Sequence, residues 1–215
     1  MVEDPCEARG VEAEYEPGSR GRVLRNLVGV RSVREMQRLE TEALLAATER
    51  AITETREDQR FAASDLRRWH RYWLGGLYEW AGEYRQVNLT KGGFMVASAE
   101  QIPRLMIELE SGPLRTLTPC VPAEVSAVSR AIGIVHAETV LIHPFREGNG
   151  RLARLAATLM ALQAGLPPLD FGGVQGLARR LYFAAIQSAV DRDYEPIAAT
   201  FRSIIARTLR LAGGR

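Results

Sequence analysis

The sequence has little of several residue types that would point to particular classes of protein. It contains two cysteines, Cys6 and Cys120, which are too few for a disulfide framework and favour a reducing, cytoplasmic environment. Neither sign of charge dominates, because 28 Lys and Arg oppose 26 Asp and Glu, for a formal net charge of +2. This balance gives no global argument for binding nucleic acid or an anionic membrane, so we expect neither as a direct partner.

Long hydrophobic runs are also missing. No apolar run approaches 18 residues without a charge, so we expect no membrane span, and residues 1–5 do not have the basic-then-apolar pattern of a signal peptide. Residues 1–22 are rich in Glu, Gly and Arg, which predicts a mobile or loosely docked N-terminal arm. Apolar residues make up 46% of the chain and charged residues 25%, so residues 23–215 are expected to form a single domain with a sizeable core.

Apolar residues at helical spacing predict an all-α fold with six or more helices around one core. Ser32 and Glu35 have capping-box spacing, so a first helix should begin at Ser32. Its expected core face is Val33, Met36, Leu39, Ala43, Ala47 and Ile52. Ser64 and Asp65 can cap a second helix, with an expected core face of Leu66, Trp69, Trp73, Leu74 and Leu77.

The second half of the chain shows the same periodicity. Pro103 is suited to the start of a third helix, which should run to about Glu110, and residues 113–122 are expected to form a loop. Further helices are predicted up to His143 and over residues 152–163, 177–190 and 197–211. One interruption is different in kind, since short β-like runs flank Gly-Gly within residues 87–96, which predicts a small β-hairpin.

The polar stretch that follows the apolar run to Ile142 concentrates the chemistry of the chain. Pro144 disfavours helical geometry at the residue before it, and Gly148 and Gly150 are poor helix residues. The stretch is therefore predicted to be a loop between two buried helices. Its members of interest are His143, Phe145, Arg146, Glu147, Gly148, Asn149, Gly150, Arg151 and Arg154.

These residue types suit a site for a polyphosphate. Gly148 and Gly150 allow backbone N–H groups to approach a ligand, and the N-terminus of the following helix attracts anions. Arg151 and Arg154 lie three residues apart and therefore share a helix face. Glu147 would repel bare phosphates, which suggests Mg²⁺ between them. The imidazole of His143 remains as a general base, so the stretch suits nucleotide-dependent transfer to a hydroxyl.

Each residue, taken by itself, could also have a purely structural role. His143 could be a helix cap, Glu147 a solvated carboxylate and Asn149 only the cap of the next helix. His136 and His70 are expected to be structural rather than catalytic. Direct metal binding by His143 and Glu147 as an i, i+4 pair is disfavoured, because Pro144 and Gly148 argue against one continuous helix.

The stretch resembles the signature of Fic-domain proteins, HPFx(D/E)GNGRxxR, and matches it at every specified position. Residues 77–85 resemble a second segment of that family, YxWAGxYR. The resemblance covers roughly residues 20–200 and implies a Fic-type helical bundle with one small hairpin. It also implies a protein adenylyltransferase that moves AMP from ATP to a Tyr, Thr or Ser hydroxyl of a target protein.

The resemblance implies a role for each residue of the motif. His143 would deprotonate the target hydroxyl, and Glu147 would hold Mg²⁺ against the α- and β-phosphates. Arg154 would bind the γ-phosphate. The implied nucleotide-binding set is Phe145, Arg146, Gly148, Asn149, Gly150, Arg151 and Arg154, with the Phe145 side chain in the core as the anchor of the loop. The hairpin would be the flap that docks the target, with Lys91, Gly92, Gly93, Phe94 and Met95.

The resemblance leaves regulation and selectivity open. A related branch that phosphorylates its target carries Lys where this chain has Gly150, which speaks against a kinase. The inhibitory pattern (S/T)xxxE(G/N) of many family members is not found here, so a toxin-like enzyme restrained by a separate antitoxin protein is expected. Transfer of UMP or phosphocholine, and a non-catalytic nucleotide-binding module, remain as alternatives.

Overall fold

The fold is all-α, as predicted. A computed structural model describes residues 11–89, 96–121 and 124–213. The helices in these residues are α1 Val33–Glu54, α2 Ala63–Leu74, α3 Ile102–Leu109, α4 Arg115–Leu117, α5 Val125–Ile142, α6 Asn149–Gln163, α7 Gly176–Ser188 and α8 Glu195–Gly213. A π-helical turn at Glu110–Leu114 joins α3 to α4, and short 3₁₀ turns lie at Val11–Ala13, Ala99–Gln101, Phe171–Gly173 and Ala189–Asp191.

Helix α5 is the centre of the bundle, with α6 and α8 packed along it. Gly133 makes the close approach to α8 possible, since a Cβ at this position would lie 3.2 Å from the backbone nitrogen of Ala198. A second, smaller apolar cluster joins α1 and α2 and includes Met36, Ala47 and Trp73. Tyr72 of α2 packs against both clusters. The polar loop of residues 143–148 leads from the end of α5 into α6.

The helix starts follow local capping chemistry. Ser32 is the N-cap of α1, as predicted, and its side chain accepts from the backbone N–H of Glu35 at 3.5 Å. Helix α2 begins at Ala63, earlier than the predicted cap at Ser64 and Asp65. Asp65 lies in its first turn and accepts from the backbone N–H of Ala62, the observed N-cap, at 2.9 Å. At the N-terminus of each of these two helices, a side chain therefore accepts from a backbone N–H that has no partner within the helix.

Two details of the prediction were wrong. Val33 and Ile52 are exposed rather than buried, because they lie at the two ends of α1 where the packing against α2 runs out. The predicted loop over residues 113–122 is helical up to Leu117. Pro113 lies within the π-helical turn, where the regular i→i−4 hydrogen-bond ladder that proline would break is already interrupted.

The predicted hairpin cannot be compared in full, since residues 90–95 lie outside the described residues. The described flanks, residues 87–89 and 96–98, carry no strand. Within the described part of the chain, β pairing is limited to one isolated antiparallel bridge between Tyr15 and Leu24.

The described part of the N-terminal segment contacts the body of the protein. Glu12 is 8% exposed, and its side chain accepts from the backbone N–H of Gln86 at 2.6 Å. Its carbonyl accepts from Arg146 Nε at 2.7 Å. The division into an arm of residues 1–22 and a domain of residues 23–215 stays a prediction.

Helix α5 also has the length and apolar composition that a membrane span would need, and among the described residues it alone does. It carries Arg130 and Glu138, and 61% of its residues are buried inside the protein. A buried core helix has the same features, so its composition is weak evidence for a membrane span.

His136 is a packed core histidine, as predicted. Its Nε2 faces the hydroxyl of Tyr182 on α7, and its ring lies 5.0 Å from the ring of Phe201 on α8. Burial lowers the pKa of His136 from 6.5 to about 4. The imidazole is therefore neutral in the folded protein at neutral pH.

We expect the free energy of unfolding to fall as the pH is lowered from about 6.5 to about 4, because only the unfolded chain protonates His136 in this range. The contribution of this residue over the range is about 3 kcal/mol. Denaturant unfolding at several pH values should therefore show a smaller loss for His136→Gln than for the wild type. Tyr182→Phe, which keeps the imidazole, should retain the wild-type pH dependence, and equal pH dependence in all three proteins would contradict the assignment.

Candidate active site

The loop between α5 and α6 turns sharply at both of its ends. His143 caps α5 in the left-handed conformation with φ 51° and ψ 57°. Gly148 precedes α6 with φ 86°, and a Cβ there would lie 2.5 Å from Cζ3 of Trp73. Glycine is therefore required at position 148 by both conformation and space. The tight approach brings the N-terminus of α6 onto the Trp73 side chain of α2.

The imidazole of His143 has a defined orientation. The side chain is 7% exposed, and Nδ1 lies 3.1 Å from the carbonyl oxygen of Val140, one turn earlier in α5. A carbonyl can only accept, so Nδ1 carries the proton in the neutral ring and the lone pair lies on Nε2. This is the tautomer in which Nε2 can take a proton from a substrate.

The middle of the loop is held by two buried residues. Asn149 is 1% exposed, and its amide bonds both the N–H and the carbonyl of Phe145, at 2.8 and 2.7 Å. Phe145 is fully buried and stacks on the ring of His70, with centroids 4.0 Å apart. Asn149 and Phe145 therefore fix the path of the loop, as predicted for the Phe145 side chain.

His70 supports the loop from α2. It accepts from the backbone N–H of Gly82 at Nδ1, 2.8 Å away, so Nε2 carries the proton and donates to the carbonyl of Glu147 at 3.1 Å. Burial lowers the pKa of His70 to about 4, which keeps the ring neutral. The prediction that His70 is structural is confirmed, and the structure adds that it holds the predicted magnesium-binding residue by its backbone.

Arg151 is fixed in the cleft by a buried acidic partner on α1. Its Nη1 lies 2.8 Å from Oε2 of Glu40, whose side chain is 8% exposed. Glu40 also accepts from the Tyr78 hydroxyl at 2.8 Å, and its carbonyl accepts from Trp73 Nε1 at 2.8 Å. The guanidinium lies over the Trp73 ring, 4.5 Å from the centroid. The ion pair with Glu40 and the contact with the Trp73 ring together fix the orientation of the Arg151 side chain.

Sequence reasoning missed Glu40. A signal was available, because Glu40 lies four residues after Met36 and seven before Ala47, so it has the helical phase of the buried residues of α1. A carboxylate at a core position needs a partner, which in this fold is supplied by Arg151 and Tyr78.

One cleft of about 1030 Å³ brings these groups together. It is lined by the motif residues His143, Glu147, Gly148, Asn149, Gly150, Arg151 and Arg154, by Glu40 and Met36 of α1, and by Arg179 and Phe183 of α7. Arg154 has its guanidinium 5.8 Å from the Phe171 ring. The cleft therefore combines a base, several arginines and the N-terminus of α6, which are groups suited to an anionic ligand with a transferable phosphate.

Two residues of the predicted nucleotide-binding set point elsewhere. The side chain of Phe145 lies in the core, and Arg146 donates to the carbonyl of Glu12. Neither lines the cleft, because the stacking of Phe145 on His70 and the hydrogen bond from Arg146 to Glu12 hold both side chains away from it. The predicted flap residues Lys91, Gly92, Gly93, Phe94 and Met95 lie outside the described residues.

The described residues contain no cluster of three His, Cys, Asp or Glu side chains that could enclose a metal ion. Glu147 is the loop carboxylate in the cleft; its side chain is 33% exposed, and Oε1 accepts from the Gly148 N–H at 2.9 Å and lies 3.6 Å from Arg151 Nη2. A single carboxylate suits Mg²⁺, which commonly takes one protein carboxylate together with phosphate oxygens and water.

Comparison with known proteins agrees with this geometry. Residues 60–161 match the model of the Fic/DOC family, and this range includes both family-like segments. The chain is 29% identical over 148 residues to protein adenylyltransferase VbhT of Bartonella schoenbuchensis, covering 66% of this chain and 30% of that protein. It is 32% identical over 140 residues to probable protein adenylyltransferase y4lH of Sinorhizobium fredii, covering 63% of this chain and 69% of that protein.

Solved structures share the fold. BepC of Bartonella tribocorum with bound AMPPNP superposes with a TM-score of 0.70 at 20% identity, over 84% of this chain and 91% of that one. A Fic domain of Bartonella quintana with bound ADP gives 0.68 at 23% identity, over 84% and 89%. The chain spans 30% of the length of VbhT but more than two thirds of y4lH. On the family model and the extent of the match to y4lH, this chain belongs to the Fic/DOC family.

Proposed function

We propose that this protein is a protein adenylyltransferase, which transfers AMP from ATP to a Tyr, Thr or Ser hydroxyl of a target protein. The observation that carries the proposal is the meeting of His143, the α6 N-terminus, Arg151 and Arg154 in one cleft. The names of the relatives, which are adenylyltransferases, support it further. Together they favour AMP transfer over a non-catalytic nucleotide-binding module, which would not require an oriented base.

The proposed reaction follows from the tautomer of His143. Nε2 takes the proton of the target hydroxyl while the hydroxyl oxygen attacks the α-phosphorus of ATP. The bond from the α-phosphorus to the bridging oxygen of the β-phosphate breaks, and pyrophosphate leaves. The target then carries AMP as a phosphate ester, and His143 loses its extra proton to solvent. Arg151 and the amides near Gly148 and Gly150 stabilise the charge on the α- and β-phosphates.

Glu147 is the residue that would hold Mg²⁺ in this proposal. When bound, the ion would supply positive charge to offset the negative charge of the phosphates. His70 contributes by holding the Glu147 carbonyl, so that the carboxylate keeps its place at the start of α6. The role of Arg154 is to bind the γ-phosphate.

The proposal includes two protein partners. One is the target that presents the hydroxyl, docked along the predicted flap of residues 91–95. The other is a separate antitoxin that restrains a toxin-like enzyme in the cytoplasm, for which the support is the sequence, since the inhibitory pattern of other family members is not found in this chain.

The direct test is incubation of the purified protein with Mg²⁺ and ATP labelled at the α-phosphate, alone and with cell lysate. We expect the protein itself or a lysate protein to become labelled. ATP labelled at the γ-phosphate instead should label neither. His143→Ala should abolish labelling while its thermal unfolding stays that of a folded protein.

The nucleotide is tested in the same experiment by replacing ATP with UTP labelled at the α-phosphate. Labelling by UTP in place of ATP would overturn adenylyl transfer and indicate uridylyl transfer by the same residues. Absence of any transfer from a folded protein that binds ATP in calorimetry would overturn the proposal of an active transferase.

Arg154→Ala should weaken ATP binding roughly 10- to 100-fold, which corresponds to about 1.5–3 kcal/mol for a hydrogen bond to a charged group. ADP binding should change little, because ADP has no γ-phosphate. Isothermal titration with both nucleotides measures the difference. Arg104→Ala, which removes an exposed arginine paired with Glu108 on α3, should leave both affinities unchanged. Equal loss for ATP and ADP would contradict the assignment of Arg154 to the γ-phosphate.

Glu40→Gln should lower the free energy of unfolding by about 1–3 kcal/mol, because it removes the charge from a buried pair and leaves Arg151 under-compensated. ATP should also bind more weakly, since Arg151 loses a fixed orientation. The matched control is Glu42→Gln on the same helix, whose pair with Arg38 is solvent-exposed; its effect should be below about 0.5 kcal/mol. Denaturant unfolding and titration calorimetry measure both variants, and similar effects would contradict the assigned role.

A further inference from the structure

Arg85 is a fully buried arginine whose guanidinium donates to three main-chain carbonyls. Nε donates to the carbonyl of His143 at 2.7 Å, Nη1 to that of Val87 at 2.6 Å and Nη2 to that of Ala97 at 2.6 Å. The three acceptors belong to three separate stretches of chain. One side chain thus joins the active-site loop to the two stretches that flank residues 90–95.

Backbone hydrogen bonds reinforce the same junction. The N–H of Arg85 donates to the carbonyl of Pro144 at 2.9 Å, and the N–H of Ala97 donates to the carbonyl of Leu141 at 3.2 Å. The last carbonyls of a helix have no partner within the helix. Here Arg85 and Ala97 supply partners for carbonyls on both sides of His143.

An arginine suits this position better than a lysine would. Its planar fork presents donors in several fixed directions and can reach three carbonyls at once, whereas the lysine ammonium is a single point on a flexible stem. Burial lowers the pKa of Arg85, and the nearby Glu12 carboxylate opposes that shift. Burying a guanidinium is costly in free energy. What the three contacts provide in return is a fixed position for the carbonyls of His143, Val87 and Ala97.

The geometry concerns His143 in particular. Its left-handed backbone, with φ 51°, is strained for a residue with a side chain and persists only where neighbours hold it. The direction of the His143 carbonyl is fixed by Arg85 Nε. Since the same residue carries the imidazole, the contact also sets where Nδ1 meets the Val140 carbonyl.

We infer that Arg85 is a positioning residue that holds the backbone of His143 in its left-handed conformation and sets its distance from residues 87 and 97. The inference rests on the proposed function and deepens it, because it names Arg85 as the residue that aligns the His143 base with the target hydroxyl. Arg85 does not touch the cleft; it acts through His143.

The test compares the wild type with Arg85→Lys, Arg85→Met and the exposed control Arg104→Met. At saturating ATP, kcat for AMP transfer should fall roughly 10- to 100-fold in both Arg85 variants, the size expected when a reacting group is misplaced by about 1 Å. The dissociation constant for ATP should stay within about twofold, because Arg151, Arg154 and the α6 N-terminus are unchanged. Arg104→Met should match the wild type in both measurements.

Two readouts do not depend on activity. Nitrogen NMR of the three imidazoles should show His143 protonated at Nδ1 in the wild type and a mixture of tautomers in the Arg85 variants, with His143→Ala giving the assignment. Hydrogen exchange at the Ala97 amide should become at least tenfold faster in the Arg85 variants. Arg85→Lys keeps a charge at the site, so it provides these measurements if Arg85→Met does not fold.

The outcomes separate this inference from the proposed function. Unchanged kcat, tautomer and exchange in folded Arg85 variants of an active enzyme would overturn the positioning role. A loss of ATP affinity as large as the loss of kcat would also overturn it, by indicating a general structural role. If the wild type transfers no AMP, the proposed function fails, while the NMR and exchange results still decide whether Arg85 holds His143.

Discussion

The loop between α5 and α6 depends on one constraint. Most of its residues are buried, so its backbone N–H and C=O groups need hydrogen-bond partners inside the protein. The chain reverses through a left-handed residue at His143 and a left-handed glycine at Gly148, so helical hydrogen bonds cannot continue across it. Partners come instead from other parts of the fold, namely Arg85, His70 and Asn149. A loop held in this way keeps one conformation, which a base and a phosphate-binding helix end both need.

The residues that support the loop each hold a different part of it. Arg85 holds the start of the loop, His70 its end and Asn149 its middle, each by a hydrogen bond to a main-chain carbonyl. Glu40 has the corresponding role for Arg151 on the other side of the cleft. The residues that would touch nucleotide are thereby fixed before it binds, so little ordering remains to oppose binding.

Burial determines the protonation states around the loop. His70 and His136 both have a pKa of about 4, so they are neutral and serve as hydrogen-bonding or packing groups. Their depressed pKa values also mean that the folded state resists protonation more than the unfolded chain does. His143 differs from both by lining the cleft, which is where a proton can be exchanged with a substrate.

The sequence by itself determined the helical class, most helix bounds and the loop that carries the motif, because local capping, proline, glycine and the 3.6-residue period act within a few residues of each position. It also pointed to His143, Glu147, Arg151 and Arg154. Only the tertiary structure decided that Arg85, His70 and Glu40 support them, since these residues lie 58, 77 and 111 positions away from their partners. It also turned Phe145 and Arg146 away from the cleft, because the direction of a side chain in an irregular loop depends on which distant groups satisfy its backbone.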